Sequence, residues 1–371
     1  MVTCLTGAIL VFEKELQQVF FHERYFVNPG TERVSADSML TSLKQKVPNA
    51  KINSVKIYRD PKRTAEISYQ LPAELPAKKD KGADGKNSAD NKTAKDPEGK
   101  RLTAFVNPYS GEIVEIYNHR NSFFYFVMDL HRWMLGGATG KLIVGICTLI
   151  FLFILISGIV LWWPRNKLLL KQRLRIKRTA GFKRLNHDYH IVFGFYSAVF
   201  LFVFAFTGLA WSFEWFNKGI YTLTGTKMEK APVIKNNFNG AVHVITAEAA
   251  LAAVLALDNS SSYYNISLPK SPADPFTISM LPANAPHESA ATQYFVDGNN
   301  GRLISVQKFA DKNKGQRVRA TFRPVHVASI FGWPSKVIGF LACLLGTFFP
   351  ASGIIMWWNR TRKNRNSILK N

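Results

Sequence analysis

Three blocks of the chain are apolar and carry no charge: Leu142 to Trp163, Ile191 to Phe213, and Val337 to Trp358. Each reaches about the 20 residues that a helix needs to cross a hydrocarbon core. A fourth apolar run, MVTCLTGAILVF, opens the chain at Met1 and holds 12 residues. It is too short to span and lacks the charged start of a signal peptide, so it reads as the second half of a membrane helix.

Between the blocks the pattern changes to short alternating runs. In the first such region Ser35 or Asp37 can cap a helix carrying Met39, Leu40, Leu43 and Val47 on one side. Strands are expected at Ile52–Tyr58, Ala65–Gln70, Leu102–Val106 and Glu112–Tyr117, with a turn over Asn107–Gly111. In the second, Thr246 can cap a helix over Ala247–Ala256, and strands are expected near Tyr264–Leu268, Phe276–Met280, Gln293–Val296 and Arg302–Gln307. Each region reads as one helix on an antiparallel sheet. The lysine-rich stretch Pro76 to Lys100 has no Val, Ile, Leu, Met or aromatic residue and reads as a disordered insertion.

The two halves repeat each other. Thr6-Gly7 precedes Phe12-Glu13 at the offset by which Thr207-Gly208 precedes Phe213-Glu214. Phe105-Val106-Asn107 with Gly111 matches Phe295-Val296-Asp297 with Gly301. His131 is followed by Ser157-Gly158 and Trp162-Trp163 at the offsets by which His326 is followed by Ser352-Gly353 and Trp357-Trp358. A tandem duplication is the simplest source of four matches in one order.

The expected fold is therefore an α-helical membrane protein: a four-helix transmembrane bundle from a tandem duplication, with two external α+β domains. Residues 1–18 form the first helix and 19–127 the first external domain, interrupted at 76–100. Residues 128–163 carry an outer-face histidine segment and the second helix, and 164–185 a basic loop. The third helix takes 186–216, the second external domain 217–322, the second histidine segment and fourth helix 323–358, and a basic tail 359–371.

Charge sets the expected orientation and argues against nucleic acid as a partner. The chain's formal charge is +23, yet Pro164 to Arg184 has nine Lys/Arg and no acid, and the tail after Trp358 has five and no acid. Both follow a membrane helix, as cytoplasmic segments do. Both soluble regions then lie outside, in the periplasm of a Gram-negative cell. Cys4, Cys147 and Cys343 sit in apolar segments, and the absence of any CxxCH excludes covalent haem attachment.

The twinned histidines carry the chemistry. His131 and His326 both fall just before a membrane helix, at its outer face, which suggests one ligand shared between the copies. Haem b suits them, because neutral imidazole binds iron axially without adding charge. His190, 17 residues before Thr207, falls about 25 Å along the helix near the inner face, with His187 one turn away as a rival. The repeat puts its partner upstream of Met1. Arg132, Arg323, Lys141 and Lys336 can neutralise haem propionates or simply anchor the interface. Gly137, Gly145, Gly158, Gly332, Gly339 and Gly353 admit a flat macrocycle or close helix packing. The Trp pairs read as interface residues. His22, His119, His243 and His287 have no repeat partner and read as surface residues.

The TG-x4-FE helix end, FVNPYSGEIV, DLHRWMLGG, SGIVLWWP, the DYHIVFGFY…TGL segment and PVHVASIFGW together resemble the PepSY-associated transmembrane proteins. That resemblance implies a four-helix, di-haem b protein of the bacterial inner membrane with two PepSY-like domains. It implies His131 and His326 as outer haem ligands and His190 as an inner one, with the fourth ligand expected upstream of Met1. Members include ferric-siderophore reductases. The expected activity is an oxidoreductase passing electrons from quinol or a cytoplasmic reductase to a periplasmic ferric siderophore, releasing Fe(II). The alternatives are a membrane-anchored binding or protease-regulating module without redox activity, and a transporter.

Overall fold

The computed structural model describes residues 1–72, 100–229, 232–236 and 245–368. The expected insertion at 76–100 lies outside the described residues apart from Lys100, which opens a strand. The first half runs α1 (Val2–Val11), α2 (Glu13–Phe20), α3 (His22–Tyr25), α4 (Ala36–Lys46), β1 (Lys51–Tyr58), β2 (Ala65–Leu71), β3 (Lys100–Val106), β4 (Ile113–Tyr117), α5 (Phe123–Trp133) and α6 (Gly137–Trp162). A short α7 (Lys167–Arg173) lies in the basic loop. The second half runs α8 (Phe182–Ser212), α9 (Glu214–Leu223), α10 (Ala247–Leu255), β5 (Tyr263–Ser267), β6 (Phe276–Met280), β7 (Thr292–Val296), β8 (Leu303–Gln307), α11 (Lys314–His326) and α12 (Trp333–Ile368).

The soluble regions differ from the expected pair of sheets. All eight strands form one antiparallel sheet in the order β4-β3-β2-β1-β5-β6-β7-β8. The halves meet at β1 and β5, in register from Ser54 opposite Ser267 to Tyr58 opposite Tyr263. Each of these strands would otherwise be a sheet edge with unpaired N–H and C=O groups, and joining them removes both edges. One face is apolar by strict alternation. Val55, Ile57, Ala65, Ile67 and Ala104 point the same way as Ile266, Ile278 and Tyr294, and α4 and α10 cover them in a single core. Gly111 (φ 74°) and Gly301 (φ 72°) turn the corresponding hairpins, each with its N–H bonded to the carbonyl four residues back.

The helix caps settle an open point of the sequence. Ser35 Oγ accepts from the Ser38 N–H at 3.1 Å and caps α4. Asp37 instead caps α10 of the other half, accepting from the N–H groups of Ala247 and Glu248 at 3.0 Å each. Glu248 reciprocates, accepting from the Ala36 N–H at 2.7 Å. Thr246 caps α10 as the sequence predicts.

Helices α6, α8 and α12 are long and apolar enough to cross a membrane, while α1 is apolar but has 10 residues. α1 packs on α12, α12 on α8 and α8 on α6, so each half lays a helix against the other half. Glycine permits close approach at two places, between the halves at Gly145 and within the second half at Gly339. A Cβ at Gly145 would come within 2.7 Å of the Phe213 ring, and one at Gly339 within 2.6 Å of the Ala328 Cβ. For these two positions helix packing, not approach of a macrocycle, explains the residue. The spanning helices begin before the charge-free blocks that open at Leu142 and Val337: α6 starts at Gly137 and α12 at Trp333. The break after His131 falls on Met134 (φ 48°) and Leu135 (φ 60°), left-handed without being glycine. Gly140 is needed immediately after it, because a Cβ there would run into the Trp133 carbonyl oxygen.

Candidate functional site

His131 ends up near the C-terminus of α5 and His326 is the last residue of α11. α5 packs on α1, and α11 packs on α8. The two rings meet edge-on, with centroids 6.2 Å apart and planes at 64°. The separation has a chemical scale. Metal–imidazole bonds are about 2 Å, and a ring nitrogen lies about 1 Å from its ring centre, so two imidazoles on opposite sides of one metal place their centres about 6 Å apart. Among the described residues no cluster of three or more His, Cys, Asp or Glu could hold a metal ion.

Each ring rests on a hydroxyl and a glycine from the neighbouring helix of its own half. His131 Nδ1 lies 3.0 Å from Thr6 Oγ1, and His326 Nδ1 lies 3.1 Å from Thr207 Oγ1. His326 Nδ1 also lies 3.0 Å from the Phe204 carbonyl. A carbonyl can only accept, so Nδ1 carries the proton and the Nε2 lone pair is free. The Thr3 backbone, three residues before Thr6 as Phe204 is before Thr207, opposes the effect of burial on His131. The threonine hydroxyls have carbonyl acceptors of their own: Val2 at 2.9 Å for Thr6, and Val203 at 2.7 Å for Thr207. Beside them a Cβ at Gly7 would sit 3.3 Å from His131 Cε1, and one at Gly208 would sit 3.1 Å from His326 Cε1. Burial pulls both imidazoles down to about 4, and Arg132 adds to the effect on each. Both rings are neutral at physiological pH.

The basic candidates separate. Arg132 acts electrostatically on both imidazoles while its guanidinium stacks over Trp133 at 4.4 Å. Lys336 is engaged elsewhere, in an ion pair with Glu15 of α2. Arg323 is exposed and acts on Glu13 and Glu288. Lys141 sits partly exposed in the second turn of α6.

At the far end of the bundle the structure separates His190 from His187. His190 Nδ1 lies 2.6 Å from Ser352 Oγ on α12, and Ser352 donates to the Phe349 carbonyl at 3.0 Å. A Cβ at Gly353 would lie 3.9 Å from His190 Cε1. His187 is exposed and faces Asp188 at 3.5 Å. Ser157-Gly158, the repeat counterpart on α6, has nothing within 4 Å of the glycine.

Along the chain the Thr-Gly and Ser-Gly dipeptides stand out as repeat markers and nothing more. Their signal is the duplication itself: each is a hydroxyl followed by glycine at the offset of a histidine. Two other expectations are corrected. His287 is not a surface residue: it is 9% exposed, packs edge-on against Phe309, and neither ring nitrogen has a hydrogen-bond partner. Trp162 is not an interface residue but buried, stacked on Phe195 with ring centroids 3.9 Å apart. Its neighbour Trp163 and the pair Trp357-Trp358 are exposed as expected. His243 lies outside the described residues.

The family model described as PepSY-associated TM region matches residues 1–360 of the chain. No curated protein matches it.

Proposed function

The chain belongs to the PepSY-associated transmembrane family, and from that premise we propose that it is a b-type cytochrome of the bacterial inner membrane. In this reading it carries two haems and passes electrons from quinol or a cytoplasmic reductase to a ferric siderophore on the periplasmic side. The observation that supports it most is the pair His131 and His326, neutral, 6.2 Å between ring centres, each with its Nδ1 held and its Nε2 free. Two neutral imidazoles are a donor set that haem iron, which already has four ring nitrogens, would take from the protein.

When bound, the haem supplies a one-electron couple next to the external face. The protein's part is to hold it. His131 and His326 would hold it through neutral imidazoles, and Arg132, whose charge acts on both rings, would be a candidate to neutralise a propionate. Lys336, paired with Glu15, is not available for that role without giving up its partner. His190 would supply one nitrogen to a second haem. The acceptor's own chemistry needs no proton-transfer residue: the ferric ion gains one electron, and the resulting Fe(II) is held weakly by hard oxygen donors and leaves.

A visible spectrum of the purified full-length protein tests the reading. Sharp reduced b-type bands, oxidised on adding a ferric hydroxamate chelate, are the expected result. A colourless preparation from haem-replete cells would leave the binding-module or transporter readings.

A further inference from the structure

Three candidate ligand histidines are seated in one way, although they come from three different helices. In each case a Ser or Thr hydroxyl faces Nδ1: Thr6 for His131, Thr207 for His326, Ser352 for His190. In each case that hydroxyl can donate to the carbonyl three residues before it, Thr3, Phe204 or Phe349. In each case the glycine after the hydroxyl faces the same ring atom, Cε1. A hydroxyl that donates to its own helix backbone presents only lone pairs to the ring, so the ring must donate.

We infer that Thr6-Gly7, Thr207-Gly208 and Ser352-Gly353 are tautomer clamps: each holds an imidazole by Nδ1–H and aims its Nε2 lone pair at iron. The inference rests on the haem reading above for its redox consequence, though not for the tautomer itself. An Nδ1–H drawn toward an acceptor leaves more electron density on Nε2, which stabilises Fe(III) over Fe(II) and lowers the reduction potential. These hydroxyls are thus positioning residues that also tune the couple. Back-bonding alone does not explain them. Thr148 and Thr347 donate to the Val144 and Cys343 carbonyls at 2.7 and 3.0 Å, and neither faces an imidazole. They provide internal controls.

The test uses the full-length, haem-loaded protein in detergent, with Thr6→Val plus Thr207→Val, which remove the hydroxyls and keep the shape. Redox titration should show the Fe(II) to Fe(III) ratio at a fixed potential rising about tenfold, an upward shift of about 59 mV for a one-electron couple. Thr→Ser at the same two positions should restore the original midpoint, and Thr148→Val should leave it unmoved. A midpoint unchanged in the double Val variant, with haem retained, overturns the clamp. Nitrogen-15 spectra of histidine-labelled apoprotein supply a second readout. His131, His326 and His190 should carry the proton on Nδ1; His326 should keep it in Thr207→Val, because the Phe204 carbonyl still accepts, whereas His190, whose Nδ1 faces Ser352 Oγ, should lose the preference in Ser352→Ala. Nε2–H rings in the wild-type apoprotein overturn the inference even if the Val variants fail to bind haem. A wild type that binds no haem yet shows Nδ1–H rings defeats the cytochrome reading and leaves the clamp standing.

Discussion

Asp37 and Glu248 each cap the helix that the other begins. Asp37 receives the N–H groups of Ala247 and Glu248, and Glu248 receives that of Ala36. Both are the second residue of their helix, so the duplication supplies an acid at matching positions and the juxtaposed helix ends supply positive dipoles. The contact ties the two halves of the sheet together on their helical face.

Removing one side of this exchange has a direct cost. Asp37→Ala leaves two N–H groups at the α10 terminus without their acceptor, and should destabilise the sheet region by about 1–2 kcal/mol. Asp37→Asn should lose less, because one amide oxygen can still accept. Urea unfolding followed by tyrosine fluorescence measures both. Equal stability of wild type and Asp37→Ala would show that the cap contributes nothing.

The proposed haem reading predicts a stoichiometry for the pair His131 and His326. His131→Ala and His326→Ala should each remove one haem per protein and leave the other, read from the pyridine haemochrome per mole of protein. His187→Ala should leave the content unchanged, since that ring is exposed and faces Asp188, whereas His190→Ala should empty the second site. Loss of haem from His187→Ala with retention in His190→Ala would reverse the assignment.

Gly140 admits no side chain. A Cβ at this position would overlap the Trp133 carbonyl oxygen, a backbone atom that cannot rotate away. Gly140→Ala should disrupt the turn between α5 and α6, lowering the yield of monodisperse protein in detergent. Gly158→Ala, with open space around it, should be tolerated.

His287 predicts a pH dependence. Burial holds its pKa below the ordinary value of 6.5, with Lys312 acting in the same direction and Glu288 opposing. The unfolded chain therefore binds a proton more readily than the folded one as pH falls below about 6.5, and stability falls with it. Below the folded-state pKa the loss is complete. His287→Phe keeps the packing on Phe309 and removes two unpartnered nitrogens. It should be neutral or stabilising by about 1 kcal/mol at pH 7, and should flatten the acid limb of a stability profile. A profile unchanged by the substitution would place the titration elsewhere.

Much of this protein is legible along the chain. The eight strands fall within one or two residues of their expected positions, because alternation at period two is a local property. The duplication alone makes His131 and His326 equivalent, without any contact between them. Other features depend on groups distant in sequence being brought to one place. β1 joins β5 because two unpaired edges of similar register meet, not because either strand's composition names a partner. Thr6 reaches His131 across 125 residues, Ser352 reaches His190 across 162, and Lys336 reaches Glu15 across 321. His287 reads as a surface residue because nothing in its neighbours along the chain shows that Phe309 will cover it. Local pattern follows from the chain's own stereochemistry and hydrophobicity; partners, burial and the proton on a ring nitrogen follow from what packs beside it.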